Sequence, residues 1–373
     1  MLMTDWLVIL SQPPKLSSDN RPMRPSAPPV QQLLQGVSRS FGLSIRLLPA
    51  VLREPVGLAY LLARATDTIA DTTPVPAARR LALLDSLQHA IDAPEEHPQL
   101  VTALRDFARQ VPDPHEKALL ERGQDCLEAL HRQAQADQAT IRQVLTAIVA
   151  GQRWDLRMLD DPQRGVQTRA DVDRYTWQVA GSVGEFWTRM CDLHLKDWHT
   201  GTSAELLQWG AHYGKGLQRL NMLRDAHHDL HAGRCYFPAE ELQALGLDRD
   251  ALCMAVRAGD RATLQRMSPL LEDWQRQTEA LLHDGLRYSL ALRGRRLRLA
   301  SALPCLIGIR TLTLLRQAGV QSLLTHVKLP RREVRRLLMR LVLSGVSDRQ
   351  LQDCWKAGLP ATSTSPVSAR IGA

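Results

Sequence analysis

Asp67 and Asp71 stand four residues apart in the run from Tyr60 to Asp71. Leu58, Leu61, Leu62, Ala65 and Ile69 recur around them at helical spacing, which sets both carboxylates one turn apart on one face. Carboxylates so placed repel each other unless a cation lies between them, and hard oxygen ligands at this spacing suit Mg²⁺ bridging to a phosphate. Tyr60 and Arg64 project from the same face on the two preceding turns. Alone, such a pair is more often a solvated helix face than a metal site. A second set shifts the balance: Gln218, Asn221, Asp225 and Asp229 follow at steps of three, four and four, one stripe of oxygen-bearing side chains. Leu217, Leu220, Met222 and Leu223 surround the stripe, so Asn221 is expected to be partly buried and to need a polar partner.

Two such helices face to face would hold several Mg²⁺ ions between them. That arrangement suits removal of a diphosphate from an allylic carbon, with the metals neutralising the leaving group and an apolar cavity sheltering the carbocation. Arg64, Arg224 and Arg234 lie near enough in sequence to add phosphate contacts.

The elements that must position these residues read as helices throughout. Leu, Ala, Arg and Gln dominate, aromatics make up 5%, and β-branched runs of strand length are nearly absent, which predicts an all-α protein. At 373 residues the chain has room for two domains, but an all-helical chain of this size also buries one large core, and a single domain is expected. Residues 1–29 read as a disordered leader, 30–345 as the catalytic body, and 346–373 as a short helix and disordered tail. Within the body, Gln31 to Leu48 is helical up to Pro49, and Pro55 fits the first turn of the helix that carries Asp67 and ends at Thr72 to Pro76. Ala77 to Ile91, His97 to Gln110 and His115 to Gln135 read as amphipathic scaffold helices. Ala139 to Leu159 and Asp171 to Trp198 are longer; the latter contains Tyr175 and the glycines of Ala180-Gly181-Ser182-Val183-Gly184. A glycine inside a helix costs ~1 kcal/mol relative to Ala, and either close helix packing or a ligand lying against bare backbone explains it. The second acidic helix spans Ala204 to His231 and is followed by a basic turn at Gly233 to Pro238. Helical stretches follow over Asp248 to Tyr288, Leu297 to Thr325 and Glu333 to Leu343.

Six scattered cysteines without a C-x-x-C pair argue against a disulfide framework or zinc ribbon and fit a reducing cytosol. The net charge of +8 calls for an anionic partner. Its distribution is uneven: Arg287 to Arg340 holds twelve Arg and Lys328 against the single acid Glu333. Met1 to Leu10 lacks the basic start and cleavage site of a signal peptide. The apolar stretch Leu297 to Leu315 is broken by Arg298, Pro304 and Arg310, so no transmembrane helix is expected. The expected location is cytoplasmic, with peripheral contact to an anionic inner membrane face, and a monomer is expected.

Five blocks taken together resemble the signature of squalene and phytoene synthases: Ser38-Arg39-Ser40-Phe41, Tyr60 to Asp71, Tyr175 with Ala180 to Gly184, Gln218 to Asp229, and Gly233-Arg234-Cys235-Tyr236-Phe237-Pro238. The resemblance covers roughly residues 30–345 and implies the all-helical isoprenoid synthase fold around a central cavity. Tyr60-x3-Arg64-x2-Asp67, the run from Arg296 to Pro304, and Val327-Lys328 look more like squalene synthase than phytoene synthase. The resemblance implies that two farnesyl diphosphates condense head to head to presqualene diphosphate, which NADPH reduces to squalene. It implies Asp67 and Asp71 as one group of Mg²⁺ ligands, and Asn221, Asp225 and Asp229 as the other. Ser38, Arg39, Phe41, Tyr60, Arg64, Gln218, Arg224 and Arg234 would hold substrate or diphosphate, and Arg39, Tyr60, Asn221 and Lys328 would contact NADPH. Tyr175 would remove a proton or face the cation with its ring. Three positions depart from the pattern: Ala70 and His228 stand where many squalene synthases carry acids, and Pro330 interrupts the segment after Lys328.

Other readings carry less. Gly214-Lys215-Gly216 is half of a dinucleotide fingerprint but lies in a helix rather than after a strand. His227, His228 and His231 suggest a transition metal, yet they face away from the Asp225 and Asp229 stripe. The basic segment has little aromatic interleaving and no nucleic-acid motif, so no nucleic acid is expected. A phytoene or dehydrosqualene synthase, ending without NADPH, is the main alternative, and a non-catalytic isoprenoid-binding protein the other.

Overall fold

The computed structural model describes residues 33–34, 36–37, 48–93, 97–160, 165–343 and 345–359. The leader, the tail beyond 359, and Ser38, Arg39 and Phe41 lie outside the described residues. Helix α1 spans Ala50–Asp71, followed by α2 Ala77–Asp92, α3 Pro98–Ala108, α4 Pro114–Glu121, α5 Gly123–His131 and α6 Gln135–Asp160. Next come α7 Arg169–Thr176, a π-helical turn Trp177–Gly181, α8 Ser182–His194 and α9 Ser203–His231. The chain continues with α10 Ala239–Ala244, α11 Arg249–Ala258, α12 Arg261–Gln265, α13 Ser268–Ala291, α14 Arg295–Ala318, a 3₁₀ turn Gly319–Leu323, α15 Arg331–Leu343 and α16 Asp348–Gly358. Among the described residues the fold is all-α; the sole β feature is one isolated bridge between His199 and Leu292.

Several helix limits differ from the pattern reading, each for a local reason. α1 begins at Ala50, so Pro55 sits beyond the first turn. The carbonyl that proline leaves without a helical donor belongs to Val51, which is exposed and open to water. The stretch read as one helix from Asp171 is three pieces, because a π turn inserts after Thr176. His115 to Gln135 divides at Arg122, and Asp248 to Tyr288 divides at the left-handed Gly259 and again at Met267. The helix expected past 345 is α16, which packs on α14 and α13 through Leu351, Cys354 and Trp355.

The buried side chains form two clusters. One lies mainly among α1 to α6 and α8, with Tyr288 and Leu297 joining it; the other is built mainly from the later part of α9 and the helices that follow, with Met158 and Val172 joining it. α9 joins them, contributing Leu206 to the first and Leu220, Leu223 and Leu230 to the second. Its start is fixed by a capping box of Thr202 and Glu205. α14 is long and apolar enough, with the turn after it, to cross a membrane by length and composition, but here it is a core helix that buries Cys305, Leu306, Ile309 and Leu312.

The glycines of α8 and α9 explain how these helices meet. A methyl group at Gly184 would overlap the Gly210 carbonyl, and one at Gly214 would overlap Ala180 O, so backbone meets backbone with no side chain between. Gly216 lies close against Leu281 of α13, whose Cβ would be the nearest atom to an added methyl. Close packing, rather than a ligand, accounts for the glycine run. Gly184→Ala should therefore lower stability to urea by about 1–3 kcal/mol, the usual cost of overfilling a packed interior. An unchanged unfolding midpoint would mean the helices are not so tightly joined.

Candidate active site

α1, α6, α9 and the turn after α9 border a cleft lined by Asp71, Asp155, Gln218, Asn221, Met222, Asp225, Asp229, Arg234 and Tyr236. The two acid-bearing helices both contribute to this space, and a third helix joins them. Asp155 comes from α6, and Tyr236 donates a hydrogen bond of 2.8 Å to its Oδ1. Arg224 holds Asp225 with two bonds, Nε to Oδ1 at 2.9 Å and Nη2 to Oδ2 at 2.6 Å. Arg234 reaches Asp229 at 2.7 Å.

Among the described residues, two polar atoms in the cleft lack partners. Asn221 Oδ1 is a buried acceptor with no donor, and Arg234 Nε is a buried donor with no acceptor. Buried groups left in this way cost stability, so the pair marks where a cation and an anion would each be welcome. The donor set fits Mg²⁺, which uses one or two carboxylates and completes its shell with water and phosphate oxygens. Among the described residues no group of three or more His, Cys, Asp or Glu is arranged to hold a metal alone. Any cation here would therefore share its shell with the ligand.

The other predicted residues lie around this cleft. Asp67 does not line it; the side chain is 3% exposed and accepts a 2.6 Å bond from Gln152 of α6. Burial, with Asp71 nearby, pushes its pKa up to about 6. Arg64 is ion-paired with Glu116 of α4, which also accepts from Thr68 at 3.3 Å. Tyr60 is buried beside Arg64, Asp67 and Glu116, and burial raises its pKa to about 12. Tyr175 is 1% exposed, its ring stacked on Tyr236 at 5.6 Å and tilted against Trp154 at 4.9 Å. Burial first, and then Asp155, keep its hydroxyl protonated well above the usual phenol range. These three rings form an aromatic layer beside the carboxylates. Lys328 is exposed, and the neighbouring His326 packs against His227 at 5.3 Å. His228 and His231 are exposed, Lys215 pairs with Asp173, and all six cysteines are buried and free.

Asp155, Tyr236, Gln152 and Glu116 received no role from the sequence. Asp155 lies in α6 beside Trp154, and Tyr236 sits in the block with Arg234, but neither position carries a repeated acidic spacing that would single it out.

Asp155, like Asp67, has its pKa raised to about 6, first by burial and then by Asp71, against the Tyr236 bond and Arg234. A carboxyl whose pKa is higher folded than unfolded favours the folded state in acid, and that contribution is lost as pH rises from about 4 through about 6. With chelator present, Asp67→Asn should flatten the fall in stability across that window and gain on the order of 2–3 kcal/mol over the parent at neutral pH. Thermal unfolding across pH checks this, and an unaltered slope would contradict it.

A squalene/phytoene synthase family profile matches residues 34–333. The squalene synthase ERG9 of Saccharomyces cerevisiae is 31% identical over 209 residues, covering 56% of this chain and 45% of that protein. A presqualene diphosphate synthase of Sinorhizobium fredii is 30% identical over 211 residues, covering 56% of this chain and 61% of that one. The matches thus span about half the length of these curated relatives. In fold, the ligand-bound structure of TcSQS superposes with a TM-score of 0.68 at 24% identity, covering 88% of this chain and 89% of that one. The squalene synthase HpnC from Alicyclobacillus acidocaldarius gives 0.52 at 20% identity, covering 78% and 92%. With a profile match over most of its length and the same helical fold, the chain belongs to the squalene/phytoene synthase family.

Proposed function

We propose that this protein is a Mg²⁺-dependent squalene synthase, joining two farnesyl diphosphates head to head through presqualene diphosphate and reducing the product with NADPH. The observation that carries the reading is the pairing, in one carboxylate-lined cleft, of the orphaned Asn221 oxygen and the orphaned Arg234 nitrogen. A metal diphosphate supplies both complements. Asp71, Asn221, Asp225 and Asp229 would hold Mg²⁺, with Asp67 behind Asp71 on the same helix face. Bound there, Mg²⁺ would supply the charge that stabilises the departing diphosphate.

The chain's own groups divide the rest. Arg234 would direct its free N–H at a phosphate oxygen, and Arg224, beside Asp225, adds a second guanidinium. Gln218 lines the wall next to Asn221. Asp155 fixes the Tyr236 hydroxyl, so the ring presents its edge and face in a set orientation against Tyr175. Tyr175, held as a neutral phenol, serves as a hydrogen-bond donor or through its ring rather than as a phenolate base. Tyr60, Arg64 and Glu116 brace the helix that carries Asp67 and Asp71.

Lys328 is the group nearest in type to what a cofactor phosphate needs, exposed beside His326 on the segment that passes near Arg224 and Asp225. Reduced nicotinamide would supply the hydride that ends the reaction. The relative named presqualene diphosphate synthase favours a second reading, in which this chain stops at the cyclopropyl intermediate.

Purified protein with farnesyl diphosphate and Mg²⁺, with and without NADPH, separates these readings by mass of the extracted product. Squalene formed only with NADPH supports the proposal. Accumulated presqualene diphosphate in both supports the second reading, and a dehydro product in both points to a dehydrosqualene or phytoene type of synthase. Asp71→Asn and Asp225→Asn should each lower diphosphate release at least about 100-fold with helix content intact. Activity retained in both would refute the metal-diphosphate site.

A further inference from the structure

α15 is amphipathic in an unusual sense, because its outward face is both basic and apolar. Val334 and Leu341, seven apart, are buried and hold the helix down. On the opposite side Arg332, Arg336, Met339 and Leu343 follow at steps of four, three and four, forming one stripe flanked by Arg335. All five are exposed, Met339 by 56% and Leu343 by 78%, and Val342 beside them by 50%. Among the described residues none of these arginines is in an ion pair, although Arg298 and Arg310 nearby are paired with Asp348 and Glu333. Beside the helix runs an open groove with Leu329 and Leu337 in its lining and Arg336 and Arg340 among its cations.

An apolar stripe set among unpaired cations asks for a partner that is anionic at its surface and hydrocarbon just below. Nucleic acid supplies the first and uses aromatic stacking for the rest, and this helix has no aromatic residue. A folded acidic protein would complement the arginines but offers no general reason for Met339 and Leu343 exposed on the same stripe. A bilayer containing anionic phospholipid supplies both layers at the depth an interfacial helix reaches. We infer that the exposed face of α15 docks on an anionic phospholipid bilayer, with Met339 and Leu343 entering the headgroup boundary and Arg332, Arg335 and Arg336 on the phosphates. The inference rests on charge and exposure alone and is independent of the reaction proposed for the cleft.

The test is flotation of the full chain with phosphatidylcholine vesicles, with and without phosphatidylglycerol, at low and high salt. Binding is expected only to vesicles containing phosphatidylglycerol, and weaker at high salt. R332E/R335E/R336E should lower the bound fraction at least about tenfold. M339S/L343S, which leaves every charge in place, should lower it severalfold at low salt. Both variants alter exposed positions, and circular dichroism with thermal unfolding verifies that each is folded. No binding to phosphatidylglycerol vesicles, equal binding to neutral ones, or full binding by folded variants would overturn the inference. So would unchanged binding by M339S/L343S together with displacement by RNA, which would assign the face to a polyanion instead.

Discussion

Four carboxylates facing one small cleft repel one another, and the local structure is arranged around that cost. Arg224 and Arg234 neutralise Asp225 and Asp229 directly, while Asp155 relies on a neutral donor, the Tyr236 hydroxyl. Asp67 is set apart from the others, buried against Gln152 with its pKa raised by burial. The acids are therefore not equivalent: Asp225 and Asp229 are each ion-paired with an arginine, while burial raises the pKa of Asp67 and Asp155 to about 6. A site that must concentrate negative charge without unfolding the helices that carry it needs both kinds.

Such charge is sustained only on a frame that does not yield, and the glycines supply it. Between α8 and α9, Gly184, Gly210 and Gly214 allow backbone contact, which fixes α9 against the π turn that follows Tyr175. The extra residue of a π turn shifts the register of the side chains that follow it. Here it joins the helix that carries Tyr175 to the one that carries the glycines, so the aromatic layer and the acidic helix take their relative position from one junction. On the other side, the Arg64–Glu116 ion pair ties the first acidic helix to α4.

The acidic stripes were legible in the sequence because a helix repeats every three to four residues, and Asp71, Asn221, Asp225 and Asp229 occupy the cleft as their spacing requires. The all-α class was legible for the same reason. What the spacing could not carry was the third helix. Asp155 is a lone acid on its element, and Gln152 and Glu116 matter only through partners 85 and 52 residues away. The breaks at Thr176, Arg122 and Met267 were equally hidden, each lying inside a stretch that reads as one helix. Tyr175 shows the limit in another form: the motif placed it near the acids, but only the fold reveals that its ring lies under Tyr236 with its hydroxyl buried.

The unmatched atoms give the cleft a directional logic. Arg234 commits one nitrogen to Asp229 and leaves Nε without an acceptor, so it can bind an anion without releasing the carboxylate. Asn221, one turn before Asp225, offers an oxygen that carries no formal charge and so adds a ligand without adding repulsion. A third aspartate in its place would raise the charge already crowding the stripe and would recruit one of the arginines. An acceptor and a donor, both without partners among the described residues, thus belong to side chains that line one cleft.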